Sequence, residues 1–262
     1  MSSDNFYGLL GRTLGHSYSP YIHKALGNTA YELFEKEPDE VDAFVCSEDL
    51  GGINVTIPYK RDVLPFCNFV SPSVKEIGAA NTLVRRDGKL CAYNTDKLGF
   101  IYMVRRAGID VSGKKTLVLG SGGASLALKA ALKTMGADRI ITISRSGEDN
   151  YENIEKHADA EFVVNATPVG LFPNVDAKPL ELTRLPNLSG VMDIVYNPLH
   201  TSLLKEAESL GLKTAEGLSM LVAQAVASHE LFFGIRTDDE KELDDPRIET
   251  IMQSLMKDYD LK

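Results

Sequence analysis

The sequence predicts a two-lobe α/β protein in which a parallel-sheet nucleotide module comes second, and three observations predict it. Residues 115–125 read Lys-Thr-Leu-Val-Leu-Gly-Ser-Gly-Gly-Ala-Ser, an apolar strand running into a glycine turn deep inside the chain. From there strand-like and helix-like stretches alternate, as a parallel sheet with right-handed crossovers requires. The length of 262 residues exceeds what one hydrophobic core usually carries.

Taken in order, short apolar runs at 6–10, 31–34, 53–57 and 82–84 read as strands, and helix-like segments follow Ser19, Pro38, Pro58 and Ser73. Together they make a β/α lobe. Asp96 starts a helix that runs through Arg106, and Gly108 stands where a helix is expected to end. That helix is expected to cross between lobes. The second module should place strands at 116–119, 139–143, 162–165 and 191–195, with helices at 123–135, near 150–158 and at 200–210. Residues 217–233 and 245–259 read as two closing helices that return to the first lobe. The predicted division is 1–96 plus 217–262 for a substrate-binding lobe and 97–216 for a Rossmann-like, doubly wound nucleotide domain.

Within the glycine turn, Gly120 permits a sharp bend and Gly122 lets the backbone approach a pyrophosphate, while the helix that follows turns its N–H groups toward the anion. The third fingerprint position holds Ser125 rather than Gly or Ala. Glycine spacing by itself therefore fits either a nucleotide site or a plain strand-to-helix turn.

The net charge of −9 argues against a protein that lives on nucleic acid or an anionic membrane surface, since phosphate neutralisation needs a basic face. Cys46, Cys67 and Cys91 are scattered and lack metal spacing, so they read as reduced, mostly buried thiols of a cytosolic protein. The opening Met-Ser-Ser-Asp-Asn has no basic region followed by an apolar run, and no apolar stretch is long enough to cross a bilayer. No signal peptide or anchor is expected. His16, His23, His157, His200 and His229 show no paired helical spacing with a carboxylate, so no metal is expected. Tyr93 and Tyr102 read as packing residues. Glu148-Asp149 and Asp238-Asp239-Glu240 read as solvated charge.

Seven motifs in sequence carry a resemblance. They are His16-Ser17-Tyr18-Ser19-Pro20, Asn54-Val55-Thr56-Ile57-Pro58-Tyr59-Lys60, Gly78-Ala79-Ala80-Asn81-Thr82, Asn94-Thr95-Asp96, Gly120-Ser121-Gly122-Gly123-Ala124, Asn165-Ala166-Thr167-Pro168 and Met220-Leu221-Val222-Ala223-Gln224-Ala225. Through them the chain resembles the shikimate dehydrogenase family along its whole length. The resemblance implies reversible, NADPH-dependent reduction of 3-dehydroshikimate to shikimate in aromatic amino acid biosynthesis. It also implies a substrate lobe facing the nicotinamide across a cleft.

Such a reaction leaves negative charge on a carbonyl oxygen as hydride arrives, so a proton donor must stand within hydrogen-bond reach. Lys60 is the residue the resemblance implies, with Asp96 beside it as its partner in an acid–base dyad. Lys60 follows Pro58 at the predicted start of a helix; alone it would read as surface charge, and Asp96 alone as a helix cap. The resemblance further places Ser17 and Ser19, helped by Tyr196, on the substrate carboxylate. It places Thr56, Asn81, Asp96 and Gln224 on ring hydroxyls, with Lys60 also at the substrate. Ser19, next to Pro20, is in addition expected to cap the following helix.

For the cofactor, the resemblance implies Gly120, Ser121, Gly122, Gly123 and Ala124 at the pyrophosphate, with Asn165, Thr167, Ile194 and Gly217 lining the nucleotide site. Residues 141–146 read Ile-Thr-Ile-Ser-Arg-Ser, without the acidic residue that binds a ribose 2′-hydroxyl, so Ser144, Arg145 and Ser146 favour NADP. Gly147-Glu148-Asp149-Asn150 departs from the family, which often carries a second arginine there, and NAD stays open as a weaker cofactor. Quinate or an aminated relative of shikimate is the alternative substrate on the same fold. A silent nucleotide-binding regulator is a remote reading, because its mark would be loss of Lys60 or Asp96. The sequence is compatible with a monomer or a homodimer.

Overall fold

The computed structural model describes residues 5–15 and 17–259, so His16 lies outside the described residues. Two compact units emerge, one from residues 1–98 and 224–245, the other from 99–223 and 246–262.

The first unit opens with β1 (Phe6–Gly11), α1 (Ser19–Ala25), β2 (Tyr31–Glu35), α2 (Val41–Cys46) and β3 (Leu50–Val55). It continues with β4 (Phe69–Val70), α3 (Pro72–Ile77), β5 (Thr82–Arg86) and β6 (Lys89–Tyr93). The six strands lie in the order β2-β1-β3-β5-β6-β4. β1 runs parallel to β2 and β3, whereas β5 is antiparallel to β3 and β6. The β5–β6 hairpin turns on Asp87 and Gly88, at φ 50° and 73°, a two-residue turn with both central residues in the left-handed region that Asp-Gly suits.

Side chains alternate across this sheet, and both faces are covered. Leu10, Ile53, Val55, Tyr59, Leu83 and Ala92 pack on one face; Tyr7, Leu9, Tyr31, Val84, Tyr93, Leu231 and Phe232 pack on the other. Register aligns Leu9 with Asn54, Asn54 with Thr82 and Thr82 with Tyr93, setting two polar residues side by side in an otherwise apolar row. The helix expected after Pro58 is absent. The chain instead makes turns and a short 3₁₀ segment at Leu64–Phe66, because Tyr59 plunges into the core and its hydroxyl donates to the Lys36 carbonyl at 2.5 Å.

The second unit takes in most of α4 (Asp96–Arg106), then β7 (Lys115–Leu119), α5 (Gly123–Thr134), β8 (Arg139–Ile143), β9 (Phe162–Asn165) and β10 (Gly190–Asp193). After these come α6 (Ser202–Ser209), β11 (Lys213–Glu216), the start of α7 (Gly217–Phe232) and α8 (Arg247–Asp258). Five parallel strands lie in the order β11-β10-β9-β7-β8, a doubly wound sheet whose order reverses between β7 and β9. Val118, Leu128, Phe162, Val164 and Met192 fill one face, and Leu117, Leu119, Val163, Val191 and Leu203 the other. The stretch near 150–158 forms only a 3₁₀ turn at Ile154–His157. β11, Lys-Thr-Ala-Glu, has no apolar run to announce it and buries chiefly Ala215.

The divisions fall inside α4 and α7, at 98/99 and 223/224 where the sequence suggests 96/97 and 216/217, and α8 groups with the second unit and not, as expected, with the first. Ile248, Ile251, Met252 and Leu255 form its buried stripe, and Glu249 takes the Arg106 guanidinium and the Tyr102 hydroxyl. Cys91 is buried and Cys67 partly so, whereas Cys46 is exposed, against the expectation of burial. Among the described residues no helix is long and apolar enough to cross a membrane.

A Cβ added at Gly52 would stand 2.3 Å from the Phe232 ring. Gly52→Ala should therefore cost about 1–3 kcal/mol by overpacking, read as a lower urea midpoint.

Candidate active site

Three strand ends converge in the first unit. β3 ends at Val55, β5 begins at Thr82 after Asn81, and β6 ends at Tyr93 before Asn94-Thr95-Asp96 and the start of α4. The Val55 N–H donates to the Asn81 carbonyl at 2.8 Å and the Asn81 N–H to the Tyr93 carbonyl at 3.1 Å, which locks the three segments together.

Lys60 enters from the turns after β3. Its carbonyl accepts from the Ala80 N–H at 2.8 Å, and its neighbour Tyr59 is buried, so the base of the side chain is held on both sides. Lys60 Nζ lies 2.7 Å from Asp96 Oδ2, and both side chains are about nine-tenths withdrawn from solvent, at 14% and 11% exposure. The other carboxylate oxygen, Asp96 Oδ1, accepts from Asn81 Nδ2 at 2.9 Å.

Asn81 is itself fixed. Its Oδ1 accepts from the Thr95 N–H at 2.7 Å and the Thr82 hydroxyl at 3.0 Å, and its Nδ2 also reaches Thr95 Oγ1 at 3.0 Å and Gln224 Oε1 at 3.5 Å. Asn54 Nδ2 donates to Thr82 Oγ1 at 3.1 Å, while Asn54 Oδ1 accepts from Tyr31 at 2.9 Å and from Ser228 at 3.3 Å. The Tyr31 ring stacks on His23 at 3.9 Å, and burial, then the nearby His229, pushes His23 down to about 3.

Lys60, Asn81, Asp96 and Gln224, singled out in the sequence, are thus joined in one network. Ser17 Oγ donates to Ser19 Oγ at 3.1 Å, and Ser19 in turn reaches the Tyr31 hydroxyl. Ser19 does not cap α1. It is the first helical residue, and Ser17 Oγ accepts its N–H at 3.2 Å, so the capping expectation shifts by two residues. Thr56 stands just past β3, tied by its N–H to the Leu10 carbonyl at 2.9 Å. Tyr196 belongs to the second unit, just past β10. Sequence reasoning gave no role to Asn54, Thr82 or Thr95; an asparagine inside the apolar run of β3 was the available signal, since a buried amide must find partners.

In the second unit the glycine turn closes β7 where the strand order reverses. Gly120 has φ 102°, and a Cβ there would approach Thr167 Cγ2 to 2.9 Å, which brings the turn against the Asn165–Thr167 segment after β9. Asn165 Oδ1 accepts from the Thr167 N–H at 3.0 Å and hydroxyl at 2.7 Å. Ser125 is accommodated because its hydroxyl donates to the Gly122 carbonyl at 2.7 Å and tightens the first turn of α5. No side chain caps the N-terminus of α5, which begins with Gly123 and Ala124 after Gly122, so that helix end suits an anion.

Gly122 has φ −74° and open space around a notional Cβ, so the fold gives no reason for glycine there; close approach of a phosphate does. These residues fit a dinucleotide pyrophosphate. Ser144, exposed Arg145 and exposed Ser146 follow β8 in a loop closed by the Ser144 N–H to the Asp149 carbonyl at 3.2 Å. Asp149 is not simply solvated, because its carboxylate meets His157 Nε2 at 2.8 Å. A Cβ on Gly217 would stand 2.3 Å from the Ile194 carbonyl oxygen, so those two positions are in direct contact.

Behind the turn, buried Asp193 at the end of β10 accepts from Asn165 Nδ2 and the Val195 N–H, each at 3.0 Å, and from Thr201 at 2.7 Å. Burial pushes its carboxyl up to about 6 against those hydrogen bonds. Among the described residues no group of three or more His, Cys, Asp or Glu is placed to hold a metal ion.

A doubly wound sheet with a glycine turn at its switch point, in one chain with a lysine–carboxylate pair, is the organisation of a pyridine-nucleotide dehydrogenase. Residues 9–83 match the family model described as shikimate dehydrogenase substrate binding domain. The chain is 39% identical over 257 residues to shikimate dehydrogenase (NADP(+)) of Caldicellulosiruptor bescii, covering 87% of this chain and 88% of that one. It belongs to the shikimate dehydrogenase family. Among solved structures, a chorismate mutase/shikimate 5-dehydrogenase fusion protein from Clostridium acetobutylicum superposes with TM-score 0.90 at 32% identity, over 99% and 100% of the two chains. Shikimate 5-dehydrogenase from Thermus thermophilus, solved in complex with NADP(H) and shikimate, gives TM-score 0.82 at 31% identity, over 95% and 99%.

Two outcomes follow from this geometry. Gly122→Ala should leave thermal stability unaltered and weaken NADP binding about tenfold or more, because a methyl group displaces the phosphate from backbone N–H groups; fluorescence titration of the dinucleotide measures it. For Asp193 the folded protein favours the protonated form. That contribution to stability is full below about pH 4 and is lost as pH rises through about 6. Urea midpoints of wild type should therefore fall relative to Asp193→Asn across that window and run level above it.

Proposed function

We propose that the chain is an NADP-dependent shikimate dehydrogenase that reversibly reduces 3-dehydroshikimate to shikimate, with Lys60 and Asp96 as its acid–base dyad. The observation that carries this reading is the 2.7 Å pair of Lys60 and Asp96, withdrawn from solvent and braced by Asn81.

NADPH, when bound, supplies the hydride. In the reducing direction the Lys60–Asp96 dyad donates a proton, through Lys60, to the carbonyl oxygen as negative charge develops there; in the oxidising direction the dyad takes the hydroxyl proton back. Asp96 orients the ammonium and stabilises its charge, and it accepts a hydrogen bond from a ring hydroxyl. Asn81, with its amide direction fixed by Thr95 and Thr82, Gln224 and Thr56 meet the other hydroxyls. Asn54 supports them from behind through its bonds to Tyr31 and Thr82. Ser17, Ser19 and Tyr196 take the carboxylate. A site lined by fixed polar groups rejects analogues that lack the matching hydroxyls, because its own groups would then be left unpaired.

On the nucleotide side, Gly120, Ser121, Gly122, Gly123 and Ala124 would hold the pyrophosphate, and Asn165, Thr167, Ile194 and Gly217 would line the nucleotide site. Ser144, Arg145 and Ser146 take the 2′-phosphate. Asp149, beside that loop, has its carboxylate hydrogen-bonded to His157 Nε2 at 2.8 Å. The unpaired cysteines suit a cytoplasmic setting.

Steady-state assays crossing shikimate and quinate with NADP and NAD test the reading. Shikimate with NADP should be the preferred pair. Lys60→Ala should lower kcat by about a hundredfold or more while NADP affinity stays the same, and full activity in that variant would remove Lys60 from the mechanism.

A further inference from the structure

The connection after α7 carries a charge that the sequence reading misplaces. Asp238-Asp239-Glu240 looks like a solvated acidic run, and Glu240 is exposed, yet Asp239 is wholly buried. One carboxylate oxygen, Oδ2, accepts both the Ser71 hydroxyl and the Asn94 backbone N–H, each at 2.7 Å. The other, Oδ1, has no hydrogen-bond partner among the described residues. Burial pushes this carboxyl up, and such a group costs stability whatever other end its position serves.

What it touches suggests the end served. Asn94 sits two residues before Asp96, and its Oδ1 accepts the N–H groups of Asp96 at 3.1 Å and Lys97 at 3.4 Å, capping the start of α4. Asn94 Nδ2 donates to the Ala79 carbonyl at 2.9 Å, and the next residue, Ala80, donates its N–H to the Lys60 carbonyl at 2.8 Å. A single asparagine is therefore linked to both halves of the Lys60–Asp96 pair, and Asp239 fixes its backbone. Asp239 is held in turn: Asp238 Oδ1 accepts the N–H groups of Glu240 and Lys241, and Arg236 donates to the Lys241 carbonyl at 2.7 Å.

We infer that Asp239 is a positioning residue for the Lys60–Asp96 pair, acting through Asn94 and touching neither substrate nor cofactor. This rests on the dehydrogenase reading given above. A catalytic pair so withdrawn from solvent tolerates little displacement, since misplacement by about 1 Å can cost about a hundredfold in rate.

The test compares Asp239→Ala, Asp239→Asn and Ser71→Ala in the full chain. One carbonyl oxygen suffices to accept from both Ser71 and Asn94, so Asp239→Asn should retain kcat to within about threefold, whereas Asp239→Ala should lose about ten- to a hundredfold in kcat. Shikimate KM should move less than kcat, and NADP affinity should hold. Ser71 Oγ also caps α3 by accepting the Val74 N–H at 3.1 Å, so Ser71→Ala should lower the melting temperature without the loss in kcat.

A second readout needs no turnover: acetylation of Lys60 by dilute acetic anhydride, measured by mass spectrometry against buried Lys115 in the other unit. It should accelerate in Asp239→Ala but not in Asp239→Asn or Ser71→Ala. Equal impairment of the alanine and asparagine variants, or wild-type kcat and Lys60 labelling in Asp239→Ala, would overturn the inference. A wild-type chain inactive on shikimate with NADP defeats the dehydrogenase reading instead, and Lys60 labelling then still decides the role of Asp239.

Discussion

The first unit depends on the orientation of one carboxamide. Asn81 Oδ1 faces the Thr95 backbone N–H, which can only donate, so the amide cannot flip and its Nδ2 must point at Asp96. That leaves the carboxylate one oxygen for Lys60. Removing either partner of such a withdrawn pair strands a charge, at about 3–5 kcal/mol. Because the pair is braced by backbone groups of three strands, its geometry follows from the sheet register and not from side-chain preference.

The nucleotide unit uses the opposite strategy, withholding side chains. Gly120 needs a left-handed bend, Gly122 keeps open space, and the end of α5 has no side-chain cap. Polar support comes from beneath, where Asp193 orients Asn165 and Asn165 orients Thr167. A deep carboxylate thus steers a strand-end loop in each unit, Asp193 in one and Asp239 in the other, and both lie outside the motifs that announce the chemistry.

Much of this was legible because the signals are local. The strand at 139–143 and that at 162–165 coincide with the observed ones, α4 runs from Asp96 to Arg106, and Gly108 adopts φ 62°. Lys60, Asn81, Asp96 and Gln224, chosen through the resemblance, meet in space. What was not legible depends on distant partners or on weak patterns. β11 is polar, and β6 stands outside the strands that the apolar runs predict, although Asp87-Gly88 is a strong hairpin signal. The segment after Pro58 has a helix's opening residues, but Tyr59 finds a better place in the core. Asp239 looks solvated because Ser71 and Asn94 lie more than a hundred residues away, and α8 shows its affiliation through contacts such as those of Glu249 with Arg106 and Tyr102.

Two of the crowded glycines, Gly52 and Gly217, differ in what evolution could repair. At Gly52 the obstacle is the Phe232 side chain, and a smaller residue at 232 could act as a suppressor, so these positions are free to covary. At Gly217 the obstacle is main chain, the carbonyl of Ile194, which every amino acid carries. No second substitution can clear it, and the path of α7 out of β11 is therefore fixed for any descendant that keeps this fold.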